Sequence, residues 1–75
     1  MTLSFAEVRA AVAAELYLEP EQLDPAADLF AAGLDSVRVL ALVERWRAAG
    51  ARIGFMDLIE GPTLGEWWER LRVDG

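Results

Sequence analysis

Apolar residues recur along most of the chain at helical spacing, and no stretch alternates cleanly as a strand would. Phe5, Val8, Val12 and Leu16 share one face at steps of three and four residues, which predicts a first helix. It opens at Ser4, because Ser4-Phe5-Ala6-Glu7 has the form of a capping box, flanked by Leu3 and Val8 as a hydrophobic staple. Pro20 stops this helix by about Leu18. From Glu19 to Asp35 no long period holds. Asp24-Pro25 predicts a turn, 26–32 a short helical turn, and Gly33 a second break. So long a connection is uncommon in a small domain and is often functional.

A second helix is expected from about Ser36 to Ala49, closed by Gly50. Val39, Leu42, Val43 and Trp46 form its apolar stripe, with Arg38 and Arg45 away from it. Val37 and Leu40 are apolar but off the stripe's centre, so they are predicted to be exposed near the helix start. Phe55 to Ile59 reads as one short helical turn, broken by Gly61-Pro62. A last helix starts at Thr63 with a second capping box, Thr63-Leu64-Gly65-Glu66. Leu64, Trp67, Trp68 and Leu71 then face the core. Two adjacent tryptophans cannot both point fully inward on one helix, so one of them is expected at the edge. The sum is an all-α bundle of three main helices and a short third one, with a long loop after the first.

The 75 residues fit one small domain, taken as 1–75. Such a chain buries a modest core and is too small to wall in the pocket most enzymes need. A hydrophobic fraction of 55% is too high for disorder. Acids outnumber bases thirteen to seven, for a net charge of -6, so neither nucleic acid nor an anionic membrane is an expected partner. With no Cys, disulfides and thiolate zinc sites are excluded; with no His, the usual general base, metal ligand and nucleophile partner are missing. The acids do not cluster as a metal loop, and no metal site is expected. No apolar run has bilayer length, and the stretch from Met1 to Ala14, broken by Glu7 and Arg9, does not read as a signal peptide. A cytoplasmic domain is the resulting expectation.

Little catalytic equipment remains. Ser4 is explained as a cap. Ser36 follows Gly33-Leu34-Asp35 and opens the second helix beside Val37 and Leu40. Spacing alone leaves either Asp35 or Ser36 as that helix's cap. A phosphate esterified to Ser36 would sit in the favourable field of a helix N-terminus, partly offset by the Asp35 carboxylate. Arg38 stands close enough in sequence to steady such a phosphate. No base is at hand to activate Ser36, so another enzyme must supply the catalysis. Trp46, Trp67 and Trp68 are assigned to the core or its wall. Arg38, Arg45, Arg47, Arg52 and Arg70 are assigned to solvated faces, with Glu66 and Arg70 as an i, i+4 pair.

Gly33-Leu34-Asp35-Ser36-Val37 at a helix start resembles the attachment motif of the acyl carrier superfamily. The resemblance runs from about Phe5 to Leu71 and implies that superfamily's four-helix fold. Gly33-Leu34-Asp35-Ser36-Val37-Arg38, Glu44-Arg45-Trp46-Arg47, and Pro62-Thr63-Leu64 followed by Trp67-Trp68 are similar to aryl carrier proteins of nonribosomal peptide and siderophore biosynthesis. Fatty-acid carriers fit less well, because their second helix is acidic and this one holds Arg38, Arg45 and Arg47 against Glu44. The resemblance implies that Ser36, with Asp35 before it, carries 4′-phosphopantetheine, placed there from coenzyme A by a phosphopantetheinyl transferase. It implies an aryl acid held as a thioester, loaded by an aryl-acid adenylating enzyme and removed by a condensation domain or acyltransferase. It implies partner contacts at Val37, Arg38, Leu40, Phe55 and Ile59. Ordinary core packing is the alternative for Phe55 and Ile59. The protein would be a monomer and would catalyse nothing. A peptidyl carrier holding an amino acid is the alternative within the class. A helical docking module with no prosthetic group, in which Ser36 is only a cap, is the alternative outside it.

Overall fold

The structure, a computed structural model, describes residues 3–74, and side chains for 3–72. Met1, Thr2 and Gly75, which the expected domain and N-terminal reading include, lie outside the described residues. The helices are α1 (Phe5–Glu15), α2 (Ser36–Ala48), α3 (Phe55–Glu60) and α4 (Leu64–Asp74). A single 3-10 turn, Pro20–Gln22, follows α1. No strand occurs among the described residues. The expected all-α architecture of three main helices and a short third one is therefore present.

The first capping box forms in full. The Ser4 hydroxyl accepts from the Glu7 amide at 3.1 Å, and the Glu7 carboxylate accepts from the Ser4 amide at 3.2 Å. The helix stops at Glu15, short of Leu18, because Tyr17 adopts a left-handed φ of 59°. Leu18 N–H then donates to the Ala13 carbonyl at 2.9 Å and Tyr17 N–H to that of Ala14 at 3.2 Å, which closes a Schellman turn. Gly50, with φ 104°, ends α2 the same way, through Ala51 N–H to Trp46 and Gly50 N–H to Arg47, both at 3.0 Å.

The second capping box is only half made. Thr63 Oγ1 accepts from the Glu66 amide at 3.2 Å, but the Glu66 carboxylate takes the Thr63 hydroxyl at 2.8 Å and not the backbone amide. The expected Glu66–Arg70 pair is accordingly replaced: Arg70 lies 3.7 Å from Asp57 and ties α4 to α3. Both partners are well exposed, so this bridge adds little stability.

Every residue of the predicted α2 stripe is buried: Val39, Leu42, Val43 and Trp46. Trp67 fills the centre, with its indole edge-on to Trp46 at 6.0 Å between centroids and its Nε1–H donating to the Leu58 carbonyl at 2.9 Å. Trp68 is the edge tryptophan, half-buried and edge-on to Phe5 at 5.8 Å. The long loop is no slack tether. Leu23, Leu29 and Leu34 are buried in the same core. Backbone bonds pin the loop to the start of α4, from Leu29 to the Pro62 carbonyl at 2.8 Å and from Gly65 to that of Pro25 at 3.1 Å. Arg9 adds a bond from α1 to the Leu23 carbonyl at 2.9 Å. The helical turn expected over 26–32 does not form as a helix: 29–33 is a hydrogen-bonded turn instead, because the Asp28 carboxylate takes the Phe30 N–H at 2.9 Å.

Candidate functional site

The loop delivers the chain to α2 through two adjacent residues. Gly33 takes a left-handed φ of 117°, and Leu34 is buried, so Asp35, Ser36 and Val37 emerge at the surface. The question the spacing left open has a definite answer here. Asp35 is extended, at φ -125° and ψ 173°, and its carboxylate accepts from the Arg38 amide at 3.0 Å. Asp35 is the cap, and Ser36 is the first helical residue. Ser36 is exposed, and among the described residues its hydroxyl makes no hydrogen bond. A hydroxyl with no structural duty, on the positive end of a three-and-a-half-turn helix, fits a covalently attached phosphodiester.

Val37 and Leu40 are exposed to 74% and 49%, as their place off the stripe predicts. Arg38 departs from the solvated face assigned to it. Its guanidinium turns back to the end of α1, donates to the Glu15 carbonyl, stands 3.6 Å from the Asp35 carboxylate and lies 5.2 Å from the centre of the Tyr17 ring. Contact with Tyr17, followed by the charges of Asp35 and Glu15, raises its pKa above the ordinary arginine value.

On α3, Phe55 is half-buried and packed on the core, and Ile59 is half-buried. Met56, which the sequence reading passed over, is 62% exposed. The signal was available: Phe55, Leu58 and Ile59 take the inward spacing of this short helix and leave Met56 outside. α3 packs against α2, the helix that opens with Ser36. Among the described residues no cluster could hold a metal ion, and no helix is long and apolar enough to cross a membrane.

The family described as "Phosphopantetheine attachment site" matches residues 6–71. Acyl carrier protein ScoB of Streptomyces coeruleorubidus is 41% identical over 63 residues, which are 84% of this chain and 74% of that protein. The isochorismatase of Bacillus subtilis (strain 168) is 44% identical over 64 residues, 85% of this chain and 20% of the enzyme. Phenyloxazoline synthase MbtB of Mycobacterium sp. (strain MCS) is 47% identical over 60 residues, 80% of this chain and 5% of the synthase. The chain thus spans most of the first relative and a small part of the other two. No solved structure matches it significantly.

Proposed function

The chain belongs to the phosphopantetheine attachment site family of carrier proteins, which hold 4′-phosphopantetheine covalently, and on that premise we propose that Ser36 bears the arm and that the cargo is an aryl acid. The observation that carries the first half is the division of labour at α2: Asp35 caps the helix, and the Ser36 hydroxyl is left exposed and unengaged. In the attachment step the Ser36 oxygen displaces adenosine 3′,5′-bisphosphate from coenzyme A and forms a phosphodiester. A phosphopantetheinyl transferase supplies the base that takes the serine proton, since this chain has no His or Cys near Ser36 to do so. The arm brings a terminal thiol, and the thioester chemistry belongs to it and to the partner enzymes. This carrier has no catalytic role of its own. The docking-module alternative needs Ser36 as a cap, and Asp35 already fills that place.

Support for an aryl cargo comes from Gly33-Leu34-Asp35-Ser36-Val37-Arg38, from the basic later half of α2, and from the phenyl group in the name of one relative's product. The test is loading of the arm-bearing protein by an aryl-acid adenylating enzyme or by an amino-acid adenylating enzyme, each with ATP. An intact mass raised by one aryl acyl group is expected with the first alone. Accumulation of an aminoacyl thioester alone would make the protein a peptidyl carrier.

Val37, Leu40, Phe55 and Ile59 are proposed as contacts for the loading and condensing partners, and exposed Met56 joins them. A carrier visits several enzymes in turn, so small and weak interfaces suit it. Val37→Asp and Leu40→Asp should each lower loading efficiency by about tenfold, the loss of one interface anchor. Their circular dichroism should match the wild type, because neither side chain is in the core. An unfolded spectrum for either would move that residue from the interface to the core.

A further inference from the structure

Tyr17 is in an unusual place. It occupies the left-handed position that ends α1, where glycine is the favoured residue, and its side chain is 84% exposed. It contributes almost nothing to the core, yet it holds a backbone conformation that β-carbon-bearing residues avoid. Strain of this kind persists where surrounding contacts over-determine it, and it points to use. The contact present is with Arg38. The guanidinium lies over the Tyr17 ring at 5.2 Å and donates to the Glu15 carbonyl, one of the carbonyls left without an intrahelical partner at the end of α1. Its Nε stands 3.6 Å from one oxygen of Asp35, while the Arg38 amide donates to the other oxygen at 3.0 Å. One side chain therefore joins the last turn of α1 to both the cap and the first turn of α2. Ser36 lies between the two residues, Asp35 and Arg38, that this clasp holds.

We propose that Tyr17 and Arg38 are positioning residues, which fix the first turn of α2 against the end of α1 and so set the direction in which Ser36 presents its hydroxyl to the transferase. The proposal rests on the assignment of Ser36 as the attachment residue. It also gives Arg38 a role other than steadying a phosphate, since its guanidinium is turned toward Glu15, Tyr17 and Asp35. A nucleophile displaced by a fraction of its working distance loses rate without losing affinity, so the effect falls on kcat and not on KM.

The test is phosphopantetheinyl transfer from coenzyme A, followed by intact mass, on the wild type, Tyr17→Phe, Tyr17→Gly, Arg38→Lys and Arg38→Met, each with a thermal melt. Tyr17→Phe keeps the ring and should react as the wild type does. Tyr17→Gly suits the left-handed backbone, so its melting temperature should hold or rise, while kcat falls by about tenfold with KM unchanged. Arg38→Met should lose at least as much, and Arg38→Lys, which keeps the charge but not the planar stack or the Asp35 contact, should fall between. A folded Tyr17→Gly that reacts at the wild-type kcat overturns the proposal. So does a loss confined to KM, which would make Tyr17 and Arg38 direct contacts of the transferase. A wild type that takes up no arm, beside a control carrier that does, removes the Ser36 assignment and this proposal with it.

Discussion

Trp67→Ala is expected to leave the domain close to unfolded at room temperature. Trp67 is fully buried, lies edge-on to Trp46 and satisfies its indole N–H on the Leu58 carbonyl of α3. Truncating a core tryptophan removes about 3–5 kcal/mol, and the orphaned carbonyl adds about 1 kcal/mol. A chain of this size has a total stability of about 4–11 kcal/mol, and small single cores sit at the lower end. The melting temperature should fall by more than about 15 °C. Trp68→Ala, which removes a half-buried ring packed on Phe5, should shift it far less. A thermal melt followed by circular dichroism separates the two. Equal effects would mean that the core is not organised around the Trp46–Trp67 contact.

Ser36→Ala should have the opposite profile: complete loss of carriage with an unchanged fold. Ser36 is exposed and its hydroxyl bonds nothing among the described residues, so its removal should alter stability by no more than about 0.5 kcal/mol. Asp35→Ala should instead lower stability by about 1 kcal/mol, because it deletes the cap that holds the Arg38 amide. If Ser36→Ala melted well below Asp35→Ala, Ser36 would have a structural role that the geometry does not give it. Loading with any acyl group should be undetectable for Ser36→Ala, since no other group on the chain can take the arm's place.

Much of this was readable from residue spacing, because burial on a helix follows its 3.6-residue period. The α2 stripe, the exposed pair Val37 and Leu40, and the split between Trp67 and Trp68 all follow from that period. What spacing could not supply are features that depend on how separate elements meet. Tyrosine carries no local signal for a left-handed helix end, so the stop at Glu15 was invisible. Arg38 reaches Glu15 and Tyr17 only after the long loop has folded back, with Leu23, Leu29 and Leu34 buried. Arg70 chooses Asp57 over Glu66 because α3 brings a carboxylate close and Thr63 has already engaged the other. The choice of Asp35 over Ser36 as cap turns on a backbone conformation that neither residue type dictates, since both are good caps. The 3-10 turn at Pro20–Gln22 reflects a second property of proline, which stops a preceding helix and is also well suited to a first helical position.

Attachment of the phosphopantetheine arm at Ser36, as proposed, has one decisive readout. The most direct measurement is the intact mass of the wild type and of Ser36→Ala after incubation with coenzyme A and a broad-range phosphopantetheinyl transferase. A gain of one phosphopantetheine is expected in the wild type and none in Ser36→Ala. A gain in both would place the arm elsewhere on the chain, and no gain in a folded wild type, beside a control carrier that is modified, would contradict the assignment outright.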